Sequence, residues 1–144
     1  ENHPYSRQTE EFIVKALRAA GALTISLVAE MDGQIVGHAA FSPIAQGDQS
    51  GSWYGAGPVS VHPSLQRKGI GKALMNEGLA RLKALNAAGC VLVGDPEYYR
   101  HFGFKSFPEL SHEGVPQENV LALAFTVETP RGRAVFHKAF EAIE

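Results

Sequence analysis

The chain has 144 residues, of which 44% are hydrophobic, so it can bury one core but is too short for two ordinary domains. Its 13 lysines and arginines against 15 aspartates and glutamates leave a formal net charge of -2, which excludes a global field that would attract nucleic acid or an anionic membrane. A single cysteine, Cys90, excludes an internal disulfide, and no apolar run approaches the roughly 20 residues that cross a bilayer.

These bounds favour one domain in the cytoplasm. We expect residues 1–144 to form that single domain, with no nucleic-acid partner and no membrane partner, and the sequence shows no signal peptide. The chain begins at Glu1 without an initiator methionine, so we do not expect Glu1 to be the native start.

The first third of the chain predicts a helix, a β-hairpin and a surface connection. Over residues 6–20, apolar side chains recur at intervals of three and four after an acidic first turn, which is typical of an amphipathic helix. Residues 24–30 and 34–41 are rich in β-formers and flank an Asp-Gly turn signal, so they predict a hairpin. The polar, glycine-containing residues 43–52 predict a surface loop.

A third strand is predicted over residues 53–61, although its composition is unfavourable for regular pairing. Gly55, Gly57 and Pro58 lie inside it, and proline cannot donate a hydrogen bond to a neighbouring strand. We therefore expect a bulge or a splay in this strand.

The longest predicted helix covers residues 70–88 and is expected to end at Gly89. Gly78 lies inside it, where glycine costs about 1 kcal/mol relative to alanine, so a close packing contact is expected there. The side chains predicted to face the core are Ile70, Leu74, Leu79, Leu82 and Leu85.

After this helix the sequence predicts a buried strand and a short helix. Residues 90–93 are continuous and apolar, which favours a strand buried on both faces. Asp95 can cap a short helix that begins at Pro96 and ends before Gly103. The crossover from the third strand through the long helix implies one parallel pair of strands, whereas the consecutive early strands imply antiparallel pairing.

The end of the chain predicts a closing hairpin. Residues 104–117 are irregular, and the β-rich residues 120–127 and 133–140 flank a turn that contains proline and glycine. The predicted order is therefore helix, three strands, helix, strand, helix and two strands.

A basic, glycine-bearing turn joins the third strand to the long helix and indicates an anion site. The first backbone N–H groups of a helix have no intrahelical partner and can converge on a phosphate, which the helix dipole also attracts. Gly69 and Gly71 allow the backbone to approach such a ligand closely. Arg67, Lys68 and Lys72 add positive charge around it.

Two common nucleotide motifs do not match this turn. A P-loop requires a first glycine where this chain has Gln66, and a serine or threonine where it has Ala73. The dinucleotide fingerprint G-x-G-x-x-G fails because Leu74 follows in place of the third glycine.

The turn instead resembles the acyl-CoA pyrophosphate motif of the GNAT N-acetyltransferase superfamily, which Gln66-Arg67-Lys68-Gly69-Ile70-Gly71 matches position by position. A second segment, from Gly94-Asp95-Pro96 to Gly103-Phe104, resembles the later tyrosine, helix and Gly-Phe element of a bacterial branch of predicted N-acetyltransferases. The resemblance covers essentially the whole chain. It implies an α/β class fold (an α+β mixed sheet), namely a GNAT-like acyl-CoA N-acyltransferase fold with a splayed, mostly antiparallel central sheet flanked by helices.

The resemblance also implies site residues and acetyl-CoA as cosubstrate. Backbone groups of Val59 and Val61 would pair with the pantetheine arm, and the turn would hold the pyrophosphate. Tyr99, four residues before Gly103, matches the tyrosine that protonates the leaving thiolate, whereas Tyr98 is a packing residue or a cofactor contact. The predicted cofactor-binding residues are Val59, Ser60, Val61, Gln66, Arg67, Lys68, Gly69, Ile70, Gly71, Lys72 and Ala73.

The sequence departs from the family at its start. The family's first strand and helix, which would precede residue 6, are missing from this chain, and without them one sheet edge would be unpaired and part of the acceptor wall absent. We expect both elements to belong to the native protein.

The expected function is an acetyl-CoA-dependent N-acetyltransferase that acts on a small primary amine by direct transfer in a ternary complex. Two alternatives stay open: a CoA-binding sensor or interaction module without catalysis, and an acetyltransferase of protein lysines or N-termini. The general base is also open, between ordered water and Glu30, His38, Asp95 or Glu97. Cys90 is expected to be a buried core thiol, no metal site is expected, and a homodimer is left open.

Overall fold

The computed structural model describes residues 12–17, 25–46, 52–66 and 68–136. Within these residues the strands are β1 (Ile13–Leu17), β2 (Ile25–Met31), β3 (Gln34–Gln46), β4 (Trp53–Val61), β5 (Gly89–Val93), β6 (Lys105–Ser106), β7 (Leu110–Ser111), β8 (Val120–Ala124) and β9 (Gly132–Val135). The helices are α1 (Ile70–Ala84) and α2 (Pro96–Tyr99). Turns of 3₁₀ helix cover Pro63–Leu65, Arg100–Phe102 and Gln117–Asn119. None of the helices in these ranges is long and apolar enough to cross a membrane.

The strands form one mixed sheet in the order β1-β2-β3-β4-β5-β8-β6, with β9 paired to β3 and to β7. Neighbouring strands from β1 to β4 are antiparallel, and β4 and β5 are parallel, as the crossover through α1 predicts. The predicted α/β class, with a mostly antiparallel mixed sheet, is confirmed.

The predicted splay in the third strand is also confirmed. The strand β4 pairs with β5 over Trp53, Tyr54 and Gly55, and the pairing stops there although β4 continues to Val61. The pairing of β4 with β3 shifts register between Ala39 and Phe41 of β3. Beyond Gly55, β4 therefore has a strand partner on one side and an open edge on the other, within the part of the chain that is described.

The predicted helix over residues 6–20 is wrong where the chain is described. Residues Ile13–Leu17 form β1, which pairs antiparallel with β2 and covers its edge. The strand begins with the β-branched Ile13 and Val14, and Lys15 forms a 2.8 Å ion pair with Glu30 across the two strands. The open edge of β2 offers backbone hydrogen bonds that outweigh a weak helical pattern. The remaining residues of that prediction lie outside the described ranges.

The predicted surface loop over residues 43–52 is wrong at its beginning, and the predicted closing hairpin is wrong. The strand β3 continues to Gln46 because its far end gains a second partner, in the pairs Ala45↔Val135 and Gln46↔Ala134. Thus β9 pairs with β3 and β7, whereas β8 lies between β5 and β6. Turn signals can predict that two strands exist, but the choice of partner depends on tertiary packing. The predicted residues 137–140 lie outside the described part.

The long helix ends earlier than predicted. Asn86 adopts a left-handed φ of 63°, and the backbone N–H groups of Asn86 and Ala87 donate to the carbonyls of Lys83 and Leu82, both at 3.0 Å. This is a Schellman ending, in which asparagine can replace glycine. Leu85 is therefore 55% exposed, and Gly89 begins β5.

One core cluster lies between the sheet and α1, and a second surrounds Trp53. Gly78 of α1 packs directly on Phe41 of β3, and a Cβ atom added at Gly78 would lie 2.1 Å from the phenyl ring, so the predicted close contact is confirmed. The larger members of the first cluster are Leu27, Phe41, Tyr54, Ile70, Leu74, Met75, Leu79, Leu82, Leu92, Phe104 and Leu121. The second contains Trp53, Val91, Leu110, Val120 and Phe136.

Candidate active site

A cavity of about 870 Å³ lies beside the open edge of β4, between the beginning of α1 and the short helix α2. Its walls come from three segments that are far apart in the sequence: the end of β4, the first two turns of α1 and the segment around α2. The residues that line it are Val59, Val61, Gln66, Gly69, Gly71, Lys72, Asn76, Tyr98, Tyr99, His101 and Phe102.

The beginning of α1 forms the electropositive end of this cavity. Gly69 caps the helix with a left-handed φ of 86°, a conformation that favours glycine. No side chain caps the helix, and its first turn contains no acidic residue. The first helical hydrogen bond runs from the Ala73 N–H to the Gly69 carbonyl at 3.0 Å, so the preceding N–H groups are available to an anion beside Lys72.

The segment between β4 and α1 is held by its own hydrogen bonds. The Nδ1 atom of His62 accepts from the Ser64 backbone N–H at 3.2 Å, and the backbone N–H of His62 donates to the Val36 carbonyl at 2.8 Å. The Gln66 side chain donates from Nε2 to the Val61 carbonyl at 3.3 Å. His62 therefore organises the turn.

Most of the predicted cofactor-binding residues lie at this cavity or next to it. Val59, Val61, Gln66, Gly69, Gly71 and Lys72 line it directly. Lys68 and Ala73 line an adjoining cavity of about 430 Å³ that shares Gly69, Lys72 and Asn76 with the first.

Three other predicted residues are not placed at the cavity. Ile70 is 1% exposed and packs in the core, where it anchors the start of α1. Ser60 is exposed and lies opposite His38 on β3. Arg67 lies outside the described residues.

Tyr99, the predicted acid, lies in the wall opposite α1. Its ring is surrounded by aromatic neighbours, with centroids 4.8 Å from Tyr98, 6.1 Å from Phe102 and 6.1 Å from Phe104. Burial, with a smaller contribution from the nearby Tyr98, raises the pKa of the Tyr99 phenol above its usual value. The phenol is therefore protonated throughout the neutral range and can donate its proton.

Tyr98 lines the same cavity near the beginning of α1. It is 45% exposed, and its hydroxyl lies 3.9 Å from the position that a Cβ atom of Gly71 would occupy. The two adjacent tyrosines thus take different places, one toward the beginning of α1 and one in the aromatic cluster.

The sequence did not single out Asn76, His101 or Phe102, which also line the cavity. Asn76 lies four residues after Lys72, so helical periodicity places both on one face of α1 and could have identified it. His101 and Phe102 belong to the 3₁₀ turn after α2, whose direction no sequence pattern predicts.

The four candidate general bases have other partners. Glu30 pairs with Lys15 at 2.8 Å, and His38 shares a 2.9 Å hydrogen bond with Ser26. Asp95 caps α2 by accepting from the Glu97 backbone N–H at 3.0 Å, which confirms the predicted cap. The Glu97 carboxylate forms a 3.5 Å ion pair with Arg100. None of these four lines the cavity.

Cys90 is fully buried, as predicted, and burial raises the pKa of its thiol above the ordinary range. The thiol is therefore not an acyl-carrying nucleophile. Among the residues that the structure describes, no group of three or more His, Cys, Asp or Glu side chains could hold a metal ion.

Comparison with known proteins identifies the relatives of this chain. A curated relative, the uncharacterized N-acetyltransferase YhbS of Escherichia coli strain K12, is 36% identical over 102 residues, which cover 70% of this chain and 61% of the relative. The chain thus spans less than two thirds of the length of that relative.

Two crystal structures resemble the fold closely. A GNAT family acetyltransferase from Brucella melitensis in complex with acetyl-CoA is 51% identical, with a TM-score of 0.70 over 86% of this chain and 73% of that one. The structure of Escherichia coli YhbS in complex with CoA has a TM-score of 0.79 over 91% of this chain and 92% of that one, at 23% identity. The model of the acetyltransferase (GNAT) domain family matches residues 23–106, more than half of the 144 residues, and the chain therefore belongs to that family.

Proposed function

We propose that the chain is an acetyl-CoA-dependent N-acetyltransferase that transfers an acetyl group to the primary amine of a small molecule, by direct attack in a ternary complex. The observation that carries this proposal is one cavity that joins the start of α1 at Gly69, which has no side-chain cap, the open edge of β4 and Tyr99. The Brucella relative, half of whose aligned residues are identical, is described in complex with acetyl-CoA.

The phosphate end of acetyl-CoA would bind at the beginning of α1. Its pyrophosphate would accept hydrogen bonds from the N–H groups that follow Gly69, with Lys72 as a mobile counter-charge. The pantetheine arm would lie along Val59 and Val61, where β4 has no second strand beside it and its backbone groups can pair with an added chain. Binding remote from the thioester fixes its orientation before the reaction.

The chemical step then needs three things from this chain. The neutral amine attacks the thioester carbon, forming the C–N bond, while a backbone N–H near Val59 polarises the carbonyl oxygen. The C–S bond breaks, and Tyr99 donates its proton to the leaving thiolate sulfur. The proton lost by the amine passes to water, and Tyr99 is protonated again from solvent.

The test is acetyl-CoA turnover over a broad panel of amines and peptides, followed by the release of free CoA thiol. The proposal expects turnover with a small amine and saturation by both substrates in an intersecting kinetic pattern, as a ternary complex requires. Binding of acetyl-CoA without turnover of any acceptor would favour a CoA-binding module. Turnover of peptides alone would favour a protein acetyltransferase.

A further inference from the structure

Gly94 lies directly after β5 and next to the ring of Tyr99. A Cβ atom added there would be 2.5 Å from Cε2 and 2.9 Å from Cδ2 of Tyr99, closer than real Cβ atoms approach carbon. Gly94 is not among the described residues with positive φ, so its backbone conformation is open to alanine. The absence of a side chain at Gly94 therefore serves the placement of the Tyr99 ring, not the shape of the backbone.

Gly94 is itself held by Asn119, which ends the 3₁₀ turn before β8. The Gly94 N–H donates to the Asn119 carbonyl at 3.0 Å, and the Asn119 side chain donates from Nδ2 to the Gly94 carbonyl at 3.1 Å. The first of these bonds continues the pairing of β5 with β8 one step beyond Val93↔Val120, and the second adds a side-chain bond to the same pair of residues. Asn119 is partly buried, so its side-chain bond is shielded from competing water.

Gly94 limits the position of the Tyr99 ring on one side, and other groups hold the backbone and the remaining sides of the ring. The Tyr99 N–H donates to the Asp95 carbonyl at 3.0 Å, which sets the backbone from which the ring projects. Phe102 and Phe104 pack at centroid distances of 6.1 Å on other sides. A shift of Gly94 would therefore change the position of the ring edge directly.

We infer that Gly94 and Asn119 form a positioning clamp that fixes the Tyr99 hydroxyl at the cavity. This inference rests on the proposed function, in which Tyr99 donates the proton to the CoA thiolate. Neither residue lines the cavity, so both act through Tyr99 and not on substrate. A general acid displaced by about 1 Å can lose roughly 100-fold in rate, so the clamp is a determinant of kcat.

Three variants test the clamp by kinetics. Gly94→Ala should lower kcat roughly 10- to 100-fold because its methyl group displaces the Tyr99 ring, with the acetyl-CoA KM changed by less than about twofold. Asn119→Asp, which keeps the shape but removes the Nδ2–H donor, should lower kcat in the same direction. Gln117→Ala is the matched control, because Gln117 lies in the same 3₁₀ turn as Asn119 and its side-chain amide also donates to a backbone carbonyl, that of Phe107. This variant should leave kcat unchanged.

Combination with Tyr99→Phe decides whether the effect passes through Tyr99. In the Tyr99→Phe background, Gly94→Ala and Asn119→Asp should cause no further loss in kcat. An equal loss in both backgrounds would overturn the clamp. Unchanged kcat in both single variants would overturn it as well.

A titration without turnover separates this inference from the proposed function. The Tyr99 phenol is followed by tyrosinate absorbance and assigned by difference from Tyr99→Phe. Gly94→Ala should lower the Tyr99 pKa toward its usual value, because a displaced ring is less buried, whereas Gln117→Ala should not. If the wild type acetylates no acceptor, the proposed function fails while this titration still decides the clamp. If Gly94→Ala does not fold, Asn119→Asp decides it by the same two readouts.

Discussion

Adjacent residues of the same type take different roles in this protein. Tyr98 and Tyr99 are neighbours on one short helix, yet Tyr98 is 45% exposed near Gly71, whereas Tyr99 is enclosed by aromatic rings and has a raised pKa. The difference arises because consecutive helical residues project about 100° apart, one toward α1 and the other toward the end of β5. The chemistry proposed for Tyr99 depends on this enclosure.

Replacing Tyr99 with phenylalanine removes the proposed acid but keeps the aromatic packing. We expect kcat to fall roughly 10²-fold with little change in acetyl-CoA affinity, because the hydroxyl acts only in the reaction step. Steady-state kinetics together with a binding isotherm for acetyl-CoA measure the two effects. An unaltered kcat, with chemistry shown to be rate-limiting, would remove Tyr99 from this role.

Tyr98→Phe is the matched comparison for that variant, since it removes the neighbouring hydroxyl. That hydroxyl lies toward the beginning of α1, so we expect a rise in the acetyl-CoA KM with kcat nearly unchanged. Equal loss of kcat in the Tyr98 and Tyr99 variants would contradict the assignment of separate roles.

The buried thiol of Cys90 should make the free energy of unfolding depend on pH in the alkaline range. The folded thiol has a pKa raised above its ordinary value of 9.0, so the unfolded chain loses this proton first. Stability linked to Cys90 is therefore complete below that ordinary value and is lost as pH rises through it, with a limiting slope of about 1.4 kcal/mol per pH unit. Urea unfolding of wild type and Cys90→Ala at several alkaline pH values should show a flatter decline for the variant. Parallel declines would mean that other groups dominate.

At the scale of elements, the position of α1 depends on two glycines that let it approach the sheet. Gly78 faces Phe41, and a Cβ atom at Gly37 of β3 would lie 2.9 Å from Ile70 and 3.1 Å from Leu74. Close approach here sets the height of the first turn of α1 above the open edge of β4. The anion site is therefore a consequence of helix packing as well as of its own loop.

Two alanine variants on α1 separate packing from helix propensity. Gly78→Ala should lower the free energy of unfolding by up to about 2 kcal/mol, because overpacking against Phe41 costs roughly 1–3 kcal/mol and the gain in helix propensity returns about 1 kcal/mol. In Gly71→Ala the new Cβ atom would lie 3.7 Å from the Val61 side chain and 3.9 Å from the Tyr98 hydroxyl, which are ordinary contacts. This variant should not destabilise the fold, although it narrows the cavity. Urea unfolding measures both. Equal stability of the two variants would show that Phe41 moves aside without cost.

At the scale of the whole molecule, charge is nearly balanced, so attraction for an anionic ligand must be local. The net charge of -2 provides no global attraction, and the cations near the cavity belong to the turn and the first turns of α1. Lysine and N–H groups at one helix end can still bind a phosphate, because both act within a few ångströms.

Binding of CoA should therefore stabilise the protein and weaken with salt. At 100 times the Kd, linkage predicts about 2.7 kcal/mol of stabilisation, which raises the Tm measurably. Lys72→Gln should weaken CoA binding and reduce its salt dependence, whereas Lys83→Gln, at the far end of α1, should leave both unchanged. Thermal melts with and without CoA at two ionic strengths measure this. Equal effects of both lysine variants would contradict a local site.

The sequence by itself determined the family, the α/β class, the strand over residues 53–61 with its splay, the turn at residues 66–71 and the candidate Tyr99. These depend on local rules: glycine at a helix start, proline in a strand and fixed motif spacing. Only the tertiary structure decided that Ile13–Leu17 pairs with β2, that β9 joins β3, and that His101 and Phe102 reach the cavity. Strand partners and cavity walls come from residues far apart in the chain, and which of them meet is set by backbone pairing and core packing that no local pattern contains.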